Sequence, residues 1–225
     1  MGSLGNLSKE APVKSWISPL LVVAAVIASV IAYPSMADRV ATHWNMQGEV
    51  DGWSSRFIVA WMIPLVMAVM LVIFRILPHI DPRRASYEKF RGAYDGIVIT
   101  TLAFMLGLHA LLLASATGSE VPVGRIIPAA VGAFFMVLGV LLPKAHPNWF
   151  IGIRTPWTMS SDVAWERTHR LGGTLFMLSG VMAVLASVVA PRQAAWVLIV
   201  SASVTGVAVI AYSFVVWRRE KAAIS

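Results

Sequence analysis

The residues best suited to directed chemistry lie between Asn148 and Gly173, in NWFIGIRTPWTMSSDVAWERTHRLGG. Three tryptophans, three arginines, a histidine, an Asp, a Glu and several hydroxyls share this one segment. Arg154 sits among Trp149, Phe150 and Trp157, where a guanidinium can stack on an indole or grip a carboxylate or phosphate with two parallel bonds. Asn148 and Gly152, with the Thr155-Pro156 step, point to a tight re-entry of the chain, because Pro143 and Pro147 prevent the preceding helix from continuing. Ser160 or Ser161 is an N-cap, with Asp162 in the first turn. The helix that follows carries Trp165, His169 and Gly172 on one face. Two readings stand together: an amphipathic elbow fixing two helices, and a binding surface for an anionic or peptide partner centred on Arg154, Trp165, His169 and Arg170.

A second polar stretch, Pro34 to Arg56, contains His43, Trp44, Asn45, Gly48, Glu49 and Asp51. His43 with Glu49 and Asp51 offers imidazole and carboxylate ligands to a divalent cation, although the spacing matches no established metal signature. The alternative is a hydrogen-bonded cap, with turns at Gln47-Gly48 and Asp51-Gly52 and with Trp44 and Trp53 at the membrane surface. No other cofactor is implied. His109, within LGLHALLLA, is an ionisable group inside an apolar run. It is either functional, because such groups are costly to bury, or a neutral imidazole bonded to a neighbouring helix. Between Pro78 and Tyr94, the Asp81-Pro82 step suggests the start of a short helix with Arg84 and Glu88 spaced i,i+4.

Enzyme signatures are missing: the chain has no His-Glu-x-x-His, Gly-x-Ser-x-Gly or phosphate-cradling glycine loop. Ser161 and Asp162 are adjacent, so their side chains diverge and cannot form a triad with His169. His146, Asp162, Glu166 and His169 match no metal spacing. With no cysteine among 225 residues, disulfides and thiolate chemistry are excluded.

The elements that must position these groups are apolar. Hydrophobic residues make up 58% of the chain, charged residues 13%, and mean hydropathy is +0.75. A hydrocarbon core about 30 Å thick needs about 20 apolar residues as helix. Six stretches meet this: Trp16–Tyr33, Phe57–Leu77, Asp95–Ala116, Val123–Leu142, Leu171–Ala190 and Ala194–Trp217. Each must be helical, because lipid offers backbone amides no partner. Lys9 and Lys14 precede the first run, which is too long for a signal peptide and is expected to stay as a span. With the N-terminus inside, fourteen of the eighteen Lys and Arg fall on the cytoplasmic side. Arg39, Arg56, Arg125 and Arg192 fall outside. Both termini and the 143–170 elbow are therefore expected in the cytoplasm and the 34–56 loop outside. The fold class is an all-α, six-span membrane protein. The net charge of +7 reflects this bias toward anionic lipid and not direct nucleic-acid binding.

The motif N-W-F-I-G-I-R-T-P-W-T-M-S-S-D-x-x-W-x-x-T-H-R-L-G-G strongly resembles the SdpI family of bacterial membrane immunity proteins. The loop A-D-R-V-A-T-H-W-N-x-x-G-E-V-D-G-W resembles the uncharacterised module that precedes it in such proteins. This resemblance implies an N-terminal module over 1–94 and an SdpI-like module over 95–225. It implies an inner-membrane protein giving resistance to a secreted toxic peptide and, in signalling, capturing a transcriptional repressor at the membrane. The competing function is a membrane enzyme or transporter for a small or lipid-linked anionic substrate, motivated by His109, Arg154 and His169.

Overall fold

The structure, a computed structural model, describes residues 16–45 and 48–224. Lys9, Lys14 and Gln47, and with Gln47 the Gln47-Gly48 turn, lie outside the described residues. Among the described residues, six helices are long and apolar enough to cross a membrane. They are α1 (Ile17–Ala32), α2 (Arg56–Ile80), α4 (Arg91–Ala116), α5 (Val123–Leu141), α7 (Asp162–Val189) and α8 (Ala194–Ile224). Two short helices, α3 (Ser86–Lys89) and α6 (Pro156–Ser160), lie in the connections. Lipid tails are as apolar as leucine, so burial alone does not draw such helices together; close packing and interhelical hydrogen bonds do.

The packing follows that rule. Gly132 and Gly139 of α5 face Gly180 and Gly173 of α7, and a Cβ at Gly139 would stand 2.6 Å from the Gly173 carbonyl oxygen. The α5 and α7 backbones therefore touch, which only glycine permits. Ser179 of α7 bonds the Thr205 hydroxyl of α8 at 2.9 Å. On the other side, α1, α2 and α4 share a core built on Ala25, Ile63, Met67, Val98 and Leu102. The division expected between 94 and 95 falls inside α4, which packs on α1 and α2 as well as on α5.

The 34–56 loop is not only a turn-tied cap. It forms an antiparallel hairpin of β1 (Arg39–Trp44) and β2 (Val50–Ser55), so the helical fold carries one small sheet. Val40 and Thr42 are β-branched and Trp44 is aromatic, which favours a strand. Val40 is buried against Met36, Val59, Leu113 and Ala116, which seats the hairpin on the ends of α2 and α4. Asp51-Gly52, expected as a turn, instead lies within β2. His43 pairs with Gly52 at an irregularity in register, and a Cβ at Gly52 would meet His43 Cβ at 2.7 Å. Between the strands, the Asn45 amide donates to the Glu49 carbonyl and the Gly48 amide to the Asn45 carbonyl, and Gly48 has φ +83°.

The connections sort into two ends. The hairpin, the 117–122 loop and the 190–193 loop share one end, where Gly48, Arg125 and Arg192 border one cavity. The 81–90 connection, the elbow and the last turns of α8 meet at the other, through Asp81–Trp149, Arg83–Asp162 and Ser161–Glu220 contacts.

Candidate functional site

The elbow is a small folded unit with an inside and an outside. Asn148 is fully buried and uses its whole side chain: Nδ2 donates to the carbonyls of His146 and Ile151, and Oδ1 accepts from the amides of Phe150 and Ile151. This ties a turn after Pro147. Gly152 then adopts φ +122°, which brings the backbone against the Trp165 and His169 rings. Thr155 caps α6 in a capping box with Thr158, Pro156 takes the first helical position, and the Thr155 hydroxyl reaches Ser213 of α8 at 3.0 Å. Ser161 caps α7 through the Ala164 amide and also donates to Glu220.

Trp165 and His169 do lie on one face of α7, as their spacing requires, but that face is internal. They are 1% and 0% exposed and stack at 4.1 Å. Trp165 Nε1 donates to the Ala145 carbonyl at 2.8 Å. His169 Nδ1 donates to the Trp165 carbonyl at 2.8 Å, and Nε2 accepts from the Ile153 amide at 2.9 Å. Both ring nitrogens are thus engaged in holding the elbow. Gly172 receives Ile153 and Gly173 receives Pro143, so the glycine pair accepts the elbow as well as α5. Of the residues singled out from the sequence for binding, the elbow presents Trp149, Arg154, Pro156 and Arg170 outward, with Arg167 exposed beside them. Arg154 Nη1 donates to the Trp149 carbonyl at 2.7 Å, tying the guanidinium to the backbone of that exposed tryptophan. Trp157 is half-buried against Phe214. Arg170 pairs with Glu166 on the surface of α7.

Asp81, read from the sequence only as a helix start, ties the 81–90 connection to the elbow. It is 2% exposed. One carboxylate oxygen accepts from the Arg83 amide at 2.7 Å; the other accepts from the Tyr87 hydroxyl and the Trp149 amide, both at 2.9 Å. Burial and the bond to this carboxylate push the Tyr87 phenol above its ordinary range, so it remains a donor. Arg83 pairs with Asp162 of α7, and the expected Arg84–Glu88 ion pair is not among those formed by the described residues. An Asp following a helix end and preceding Pro was the available signal, but its partners lie 6 and 68 residues away.

At the opposite end, His43 Nδ1 meets Asp51 Oδ1 at 2.5 Å across the hairpin. Glu49 does not join them: it bonds Asn45 through both its amide and its carboxylate. Among the described residues no three His, Asp or Glu side chains gather as a metal site. His109 is fully buried and its Nε2 donates to Ser29 Oγ of α1 at 2.8 Å, while Ser29 donates to the Ala60 carbonyl of α2. The imidazole therefore links α4, α1 and α2.

Residues 144–213 match the SdpI/YfhL protein family, and residues 20–68 match a domain of unknown function, DUF1648. The chain is 26% identical to Immunity protein SdpI of Bacillus subtilis (strain 168) over 173 residues, covering 76% of this chain and 81% of that protein. No solved structure matches it.

Proposed function

We propose that this chain, with its SdpI-type segment behind the DUF1648 module, is a bacterial inner-membrane immunity protein that protects the cell from a secreted peptide toxin. The observation that carries this reading is the coincidence of the family match with the elbow. Residues 144–213 contain the elbow, α7 and most of α8, the part of the molecule where buried side chains are most fully engaged in holding one geometry. A mere connector needs none of this.

In this reading the hairpin end faces outward and meets the toxin, with His43, Trp44, Asn45, Gly48 and Asp51 at hand. The elbow end faces the cytoplasm, the orientation that the basic-residue bias supports. There Trp149, Arg154 and Arg170 form the contact for a cytoplasmic regulator, a transcriptional repressor held at the membrane. Asn148, Gly152, Thr155, Trp165 and His169 act as positioning residues beneath that surface. The 1–94 and 95–225 modules then divide the tasks of outer and inner recognition, coupled through Asp81.

Expression in a toxin-sensitive Bacillus strain tests this. Cells carrying the chain should survive peptide toxins that kill cells carrying an empty vector, and Trp149→Ala with Arg154→Ala should alter signalling while the protein stays folded. Unchanged survival across several related toxins, with the chain present in the membrane, contradicts the reading.

A further inference from the structure

Beneath the hairpin, a cavity of about 390 Å³ opens between α2, α4 and α5. Its wall is apolar, formed by Ile63, Leu108, Leu111, Leu112, Ile127 and Pro128. Thr42, His43, Trp44 and Asn45 close it from the hairpin side. Leu108 lies eight residues before the end of α4 at Ala116, so at 1.5 Å per residue the cavity reaches roughly 12 Å below the helix end. That is hydrocarbon depth.

A second cavity of about 540 Å³ adjoins the first, because Gly48, Val123, Gly124 and Ala195 line both. Its chemistry differs. Arg125 and Arg192 border it, and these are two of the four basic residues at the hairpin end. Both are exposed, and among the described residues neither is in an ion pair with a carboxylate. Glu120 is on the adjoining loop and also exposed. The order of the two compartments is therefore a basic vestibule at the membrane boundary leading to an apolar slot within it. Each volume falls within the roughly 300–1,000 Å³ of small-ligand sites.

We propose that the two cavities form one site for an anionic phospholipid of the leaflet at the hairpin end. The phosphate lies between Arg125 and Arg192, and an acyl chain fills the apolar slot under the hairpin. Two guanidinium groups bind a phosphate through short charge-assisted bonds, which a zwitterionic headgroup answers less well because its own cation competes. The apolar slot selects against a free phosphate, which has nothing to bury there. The occupant would also support the hairpin, which is seated on α2 and α4 through Val40 and the buried residues around it.

The test is native mass spectrometry of the full chain purified in a neutral detergent. The probes are phosphatidylglycerol, phosphatidylcholine with the same acyl chains, and glycerol phosphate. Wild-type protein should retain phosphatidylglycerol in preference to phosphatidylcholine. Exchanging both arginines, Arg125→Gln with Arg192→Gln, should weaken that retention at least about tenfold, because each removes charged hydrogen bonds. Ala195→Phe, which narrows the passage between compartments, should weaken it as well. Equal retention of the two lipids by wild type, or unchanged retention by the double arginine variant, overturns the proposal. So does displacement of the lipid by glycerol phosphate alone. The arginines are exposed, so their exchange leaves the fold intact even if Ala195→Phe does not. No toxin enters the experiment, so its outcome is separate from that of the immunity reading.

Discussion

Replacing Gly152 with alanine adds one methyl group where the elbow turns onto α7, and two separate costs follow. The backbone there has φ +122°, a region that costs an L-residue about 1–3 kcal/mol. The new Cβ would also stand 2.3 Å from His169 Nε2 and 3.2 Å from two ring atoms of Trp165. Neither ring can retreat, since both are buried, stacked, and bonded to backbone carbonyls. Either the Ile153–His169 bond breaks and strands a buried donor, or the rings are forced off their packing, at about 1–3 kcal/mol in each case. The expected destabilisation is about 2–6 kcal/mol. Gly118 is the internal control: its φ is +94°, but a Cβ there meets nothing within 4 Å, so Gly118→Ala carries the backbone cost alone. Thermal unfolding in detergent, followed by near-ultraviolet circular dichroism of the tryptophans, measures the difference. Combining His169→Ala with Gly152→Ala should cost less than the sum of the two single losses, because the clash partner is gone. If Gly152→Ala unfolds no earlier than Gly118→Ala, or if the double variant is simply additive, the ring-against-glycine account of the elbow fails.

Asp81→Ala should destabilise the protein by about 3–5 kcal/mol, since the Tyr87 hydroxyl and the Trp149 amide lose a buried acceptor. Asp162→Asn, which loses an exposed pair with Arg83 and a surface charge in the first turn of α7, should cost no more than about 1 kcal/mol in the same unfolding assay. Trp165→Phe keeps most of the ring stack but loses the bond to the Ala145 carbonyl, so a loss of about 1–2 kcal/mol in melting experiments is expected. The chain has no cysteine, so single thiols report topology cleanly. In intact cells an impermeant maleimide should label Ser119→Cys and leave Ser160→Cys unlabelled; the reverse pattern would invert the proposed orientation.

The helices were legible because lipid leaves a chain little choice: six apolar runs of sufficient length had to be helices, and their starts moved only where polar residues continued a helix beyond the apolar part. Thus α7 begins at Asp162, as the Ser161 cap required, nine residues ahead of the apolar run. The elbow's membership was also legible, from the mixture of residue types and the four-residue spacing of Trp165 and His169. Their side of the helix was not, because periodicity says which residues share a face but not whether that face meets water or protein. The hairpin was hidden by its own turn-forming pairs. Asp51-Gly52 reads locally as a turn, yet the strand pairing across the bulge at His43 overrides it. Asp81 and Ser29 were invisible for a different reason: their partners come from distant segments, and nothing in the local sequence announces a contact across 68 or 80 residues.

The most direct test of the central claim is the toxin concentration that halves the survival of a sensitive Bacillus strain, compared between cells carrying this chain and cells carrying an empty vector at matched growth. The account predicts a shift to higher toxin concentration with the wild-type chain, and a smaller shift with Gly152→Ala, whose elbow is disturbed. Identical survival curves, with wild-type protein present in the membrane fraction, would contradict it.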